Sequence, residues 1–144
     1  MKTGLAALAG AGLTVGAHAA AKSKIAGIGM CDWNLGNACD PELIALARDA
    51  HLDGIQVSVG TDPERLPLRD RAVQRRYSDL GKKHGIRFHS VAAGGILNTI
   101  PLASEPQSAV YVIDAIEAAQ ALGAKNVLVA FFGNGDLRLR DPEK

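Results

Sequence analysis

The residues able to do chemistry stand in small groups, each closing an apolar run. Cys31, Asp32, Trp33 and Asn34 end the stretch GIGMCDWNLG, in which glycines alternate with Ile28 and Met30 as in a close-packed strand. They bring a thiol, a carboxylate, an amide and the only tryptophan of the chain to one point. Asp32 has two readings: a carboxylate that holds a hydroxyl or tunes a metal, or one that satisfies loop amides in an Asx-turn. His89 and Ser90 lie within RFHSVAAGG, Asn98 follows in ILNTIPLASEP, and Phe131, Phe132, Asn134 and Asp136 end NVLVAFFGNGD. His89 is a metal ligand or a hydrogen-bonded core group, and no neighbouring His, Asp or Glu is visible to complete a ligand set. Asn98 either contacts a ligand from its long loop or bonds its own backbone to shape that loop. Gly133-Asn134-Gly135 fits a turn better than an anion cradle, because the third glycine of a phosphate loop is missing.

The elements that must position these groups repeat one plan. A strand over 25–32 leads to a helix in DPELIALARDAH, with Asp40 as N-cap, Pro41 at the first helical position and Gly54 shortly past the end. Its apolar face is expected to be Leu43, Leu46, Ala47 and Ala50. GIQVSVG, 54–60, is the second strand. RDRAVQRRYSDLGKKHG is the second helix, with a stripe of Val73, Tyr77 and Leu80. The third strand runs over 87–95, and a long loop leads to the helix SAVYVIDAIEAAQALGA. There Val112, Ile113, Ile116, Ala119 and Leu122 are expected to be buried, with Gly123 as terminator. NVLVAFFGNGD is the fourth strand.

Strand and helix alternating at intervals of roughly thirty to forty residues imply parallel strands joined by right-handed crossovers. In the second strand Ile55, Val57 and Val59 point one way, and Gln56 and Ser58 the other. A sheet sandwiched between two helix layers is apolar on both faces. A polar row instead points to a barrel interior, and so to the fold class expected here: α/β, a partial (β/α)8 TIM barrel of about four βα units. The runner-up, a doubly wound nucleotide-binding sheet, lacks both G-x-G-x-x-G and G-x-x-x-x-G-K-[ST] after any strand.

The chain has 144 residues, is 47% apolar and carries a net charge of +1, so no overall field argues for nucleic acid or an anionic membrane. The basic run Arg69, Arg71, Arg75, Arg76, Lys82 and Lys83 alternates with the second helix's apolar stripe and is read as a solvated face. His51 and His84 are read as favourable charges near helix C-termini. Residues 1–20, MKTGLAALAGAGLTVGAHAA, have the charged, apolar, small-x-small order of an export signal with cleavage after Ala19. The wording is similar to twin-arginine signals, though the arginine pair is absent, and the expected location is periplasmic or secreted. Cys31 and Cys39 fit no zinc spacing and are read as two unpaired, half-buried thiols.

With the strands placed, GMCDWNLG, LDGIQVSVG, the SVAAGGILNTIPLASEP loop and GAKNVLVAFFGNGD resemble the opening half of the sugar phosphate isomerase/epimerase family. These are xylose isomerase-like TIM barrels, related to a branch of apurinic endonucleases. The resemblance covers residues 24–144, and its most specific pieces are CDWNLG and the LN-x-x-PL loop. It implies that the strand C-termini line a sugar site, with Asp32, Trp33, His89, Asn98, Phe132 and Asn134 as substrate-binding residues. Trp33 would stack on a sugar face, or else plug the barrel top. The family uses a divalent metal, Mn, Mg or Zn, held mainly on second-half strands, to polarise a carbonyl and hydroxyl while acidic residues move a proton. The resemblance therefore implies that catalytic residues and metal ligands lie outside this chain, which reads as the N-terminal half of an enzyme. The expected partners are a small-molecule sugar and a missing C-terminal half, or a second copy that closes the sheet edges. A non-catalytic half-barrel binding carbohydrate is the alternative, and an endonuclease-like barrel with a metal at His89 comes third.

Overall fold

Asp40 and Pro41 lead into the first helix from a turn before it, and Glu42, not Asp40, stands at the N-cap; the Asp40 carboxylate accepts from the Glu42 amide at 3.0 Å. The bonds from Leu43 to Asp40 and from Ile44 to Pro41 make a tight first turn before regular helix begins. The computed structural model describes residues 27–100 and 105–138. The signal reading of 1–20, the start of the first strand and the tip of the long loop lie outside the described residues.

The elements follow in the order β1 (Gly29–Cys31), α1 (Leu43–Asp49), β2 (Gly54–Ser58), α2 (Arg71–His84), β3 (Arg87–Ala92), α3 (Gly94–Leu97), α4 (Ala109–Leu122) and β4 (Asn126–Leu128). The four strands are parallel and pair in the order β1-β2-β3-β4. Each connection steps to the next neighbour in the same direction, so right-handed crossovers place α1, α2 and α4 on one face. There α1 packs on α2, and α2 on α4. A doubly wound sheet reverses its order beside its first strand, whereas here β1 is an edge. The chain is an α/β protein with a parallel four-stranded sheet, an arrangement compatible with half of an eight-stranded barrel.

Ile55, Val57 and Val91 supply the sheet's share of the core, with Ile44 and Ala47 of α1, Tyr77 and Leu80 of α2, and Ala115, Ala118, Ala119 and Leu122 of α4. Tyr77 meets Phe88 edge to face, with centroids 5.8 Å apart. A Cβ at Gly81 would lie 2.8 Å from the Phe88 ring, so glycine there lets α2 approach the sheet.

Several boundaries and faces depart from the sequence reading. α1 buries Ile44 and Ala47, while Leu46 and Ala50 face outward. The LIALA run is apolar nearly all round, and only the docking of the helix selects its face. His51, at φ 56°, rather than Gly54, ends α1: its amide bonds to Arg48 and that of Leu52 to Ala47, a Schellman closure. α4 presents its alanines to the sheet and leaves Ile113 and Ile116 55% and 54% exposed. Small residues permit the closer approach, and Asp114 and Glu117 turn toward Arg69 and Arg71 beside α2. β3 stops at Ala92, and the short helix α3, with Ile96 and Leu97 fully buried, takes the last two residues of the expected third strand and the first two of the expected loop.

Candidate functional site

Register decides which polar side chains meet. Cys31, Gln56, Ser90 and Asn126 are partners across the four strands. Between β2 and β3 the pairing jumps from Ile55↔Phe88 to Gln56↔Ser90, leaving His89 as the extra residue of a bulge. A bulge turns two consecutive side chains to nearly the same side, which joins His89 to Ser90 on the face opposite the helices. Glycine makes room for the ring: a Cβ at Gly29 would lie 2.5 Å from His89 Nε2, and one at Gly54 3.4 Å from its Cδ2.

The result is a hydrogen-bonded row across three strands. The Cys31 thiol donates to Gln56 Oε1 at 3.1 Å, and Gln56 Nε2 donates to Ser90 Oγ at 2.7 Å. Ser90 Oγ lies 3.0 Å from His89 Nδ1. Asn126 Nδ2 donates a long bond, 3.4 Å, to the His89 carbonyl. Partial burial holds the imidazole below its ordinary pKa. Burial, reinforced by the charge of Asp32, pushes the Cys31 thiol up. Beside the row a cavity of about 1110 Å³ opens toward the N-terminal strand ends, lined in part by Gly29, Gly54, Arg87, His89, Lys125 and Asn126.

The other end of the sheet holds the remaining candidates. Asp32 is fully buried, and its Oδ1 accepts from Trp33 while its Oδ2 accepts from Cys39 and Ser58, all within 2.9 Å. Extending the Cys31↔Gln56 register one step would bring the Ser58 amide to the carbonyl of residue 32. That carbonyl instead accepts from Leu35 and Gly36, and the carboxylate replaces it in the ladder. Burial raises the Asp32 pKa against the opposing pull of these amides. Ser58, expected in the inner polar row, is also buried, and its hydroxyl accepts from Gly60. Beneath Asp32, burial pushes the Cys39 thiol up to about 12, with help from the Asp32 charge. Both cysteines are free, Cys31 partly exposed and Cys39 buried.

Trp33 and Phe132, 43% and 69% exposed, present aromatic surface at the ends of β1 and β4. Asn98 Oδ1 accepts from the Phe132 amide at 2.8 Å, tying the loop after β3 to the end of β4. Asn134 is exposed within the turn Gly133–Gly135, whose last glycine packs against the α3 backbone. Thus Asn98 and Phe132 come together, whereas His89 sits near the start of the strands, level with Gly54 and away from the Asp32 end. Cys31, Gln56 and Ser90 join His89 as functional candidates. The polar alternation of β2 marks Gln56, but linking it to Ser90 and Cys31 requires the register.

Among the described residues no three His, Cys, Asp or Glu side chains gather to hold a metal. His89 stands apart, and the Asp32 carboxylate is occupied by amides, so these two do not make a pair of ligands. The basic face of α2 is paired outward: Arg76 with Glu42 of the turn into α1 at 2.8 Å, and Arg71 with Glu117 of α4 at 3.8 Å. Just before α2, Arg69 bonds Asp114 at 2.6 Å and lies over the Tyr111 ring. No helix of the described residues is long and apolar enough to cross a membrane. No known family model matches this chain, and no curated protein matches it significantly.

Proposed function

We propose that this chain is the substrate-holding wall of a xylose isomerase-like sugar isomerase or epimerase, formed by the N-terminal half of its barrel. The carrying observation is the polar row Cys31–Gln56–Ser90–His89 on the face opposite the helices, where a barrel turns its side chains inward. The unreversed strand order and the exposed aromatics Trp33 and Phe132 at strand C-termini support the same reading. On this reading the described residues bind a polyhydroxylated substrate along the polar face: the Gln56 amide and His89 imidazole take hydroxyls toward the strand starts, and the aromatic faces of Trp33 and Phe132 cover the strand ends. The divalent metal of such enzymes, Mn, Mg or Zn, would polarise the substrate carbonyl from ligands on other strands.

The test is calorimetric titration of the full chain with D-xylulose, run beside an assay of ketose–aldose interconversion in Mn²⁺ and Mg²⁺. Binding without turnover is expected. Affinity no greater than for glycerol would end the carbohydrate reading, and turnover by a monomer would end the assignment of this segment to binding alone. A second reading, a non-catalytic module that pairs with another copy, is favoured by the bare apolar surface of Val110, Ile113, Ile116, Leu128 and Val129. Light scattering after size exclusion separates it, since a dimer supports pairing and a monomer removes it.

A further inference from the structure

The row crossing β1, β2 and β3 has a direction, because each member has a limited stock of protons. The Cys31 thiol gives its one proton to Gln56 Oε1. Gln56 then turns its amide nitrogen to Ser90 and donates to Oγ. The Ser90 hydroxyl, 7% exposed and already accepting from Gln56, has its own proton left to place. The acceptor within reach is His89 Nδ1, at 3.0 Å. An Nδ1 that accepts must be bare, so the imidazole proton lies on Nε2. Among the described residues Nε2 has no hydrogen-bond partner. It lies above Gly29, where any side chain would displace it, and the ring lines the open cavity.

We propose that Cys31, Gln56 and Ser90 hold His89 in the Nε2–H tautomer and aim that proton into the open cavity at the N-terminal strand ends, where it binds a hydroxyl or carbonyl oxygen of a small-molecule ligand. His89 is the binding group, and the other three are positioning residues. Partial burial supports the arrangement by favouring the neutral ring, since a proton on Nδ1 would take away the acceptor of the Ser90 hydroxyl proton. Gln56 makes the device reversible. Rotating its amide would reverse every bond, leave Nδ1 protonated and expose Nε2 as an acceptor. The present polarity lets the thiol act as donor, and sulfur is a weak acceptor for the reversed row. That the ligand is a sugar rests on the function proposed above; the tautomer does not.

Nitrogen-15 NMR of the histidine-labelled full chain reads the tautomer directly, with His89 assigned by its loss in His89→Gln. The expected spectrum has a protonated Nε2 and a bare Nδ1. A protonated Nδ1, or averaging of both forms, overturns the row. Ser90→Ala should convert the single tautomer to a mixture. Cys31→Ala, which deletes only the terminal donor and threatens the fold least, should let Gln56 rotate and shift the population toward Nδ1–H. A spectrum unchanged in both variants shows that the row does not select the tautomer and overturns the proposal. Titration with D-xylulose then separates the two claims. A moved Nε2–H signal, with affinity reduced about fivefold in Ser90→Ala, supports both. A fixed tautomer whose signal ignores the ketose retains the row and removes the sugar.

Discussion

The Asp32 carboxylate accepts main-chain hydrogen bonds from its own turn, from the segment before α1 and from the end of β2. Buried donors left unmet cost about 1–3 kcal/mol each, so Asp32→Ala should destabilise the fold by about 3 kcal/mol or more, measured by urea unfolding. A cost under about 1 kcal/mol would show that the loop does not depend on this carboxylate. Of its two sequence readings, the structure shows the amides engaged. His89 carries the pH signature. Its folded pKa lies below the unfolded value of about 6.5, so its stabilisation is complete above that value. As pH falls through this range the unfolded chain takes up the proton first, and stability is lost. The loss of urea midpoint between about pH 7.5 and about pH 5.5 should therefore be smaller in His89→Gln than in the parent, and an equal loss would contradict the lowered pKa.

At the scale of elements, α2 and α4 make opposite demands on side-chain size. Gly81→Ala places a methyl against Phe88 and close to the Ile86 carbonyl, an overpacking expected to cost about 1–3 kcal/mol. Ile113→Ser, on the open side of α4, should change the unfolding free energy by less than about 0.5 kcal/mol. A loss of several kcal/mol there would restore the buried face expected from the sequence. The α2 stripe of Tyr77 and Leu80 was readable because charged residues frame it. α4 is apolar around most of its circumference, so composition could not set its phase: Ala119 and Leu122 are buried as expected, while Ala115 and Ala118 replace Ile113 and Ile116 in the core. Strand order was readable from β-rich runs, but β4 ends at Leu128, far short of the expected NVLVAFFGNGD, and the bulge that pairs Ser90 with Gln56 depends on contacts between distant segments. Single residues such as Gln56 could be marked, while the row joining them could not.

For the whole molecule, the consecutive parallel order makes the two sheet faces unequal: one carries the helices, the other the polar row and the glycines that admit His89. On the proposed function, this second face receives a polyhydroxylated ligand. The most direct measurement is a residue-resolved NMR titration of the chain with D-xylulose, following the amides together with the Gln56 side chain, the Trp33 indole and the His89 ring. Shifts should be confined to Cys31, Gln56, Ser90, His89 and the strand ends at Trp33 and Phe132. Shifts gathered on α1, α2 and α4, or none at concentrations where glycerol also produces none, would contradict it.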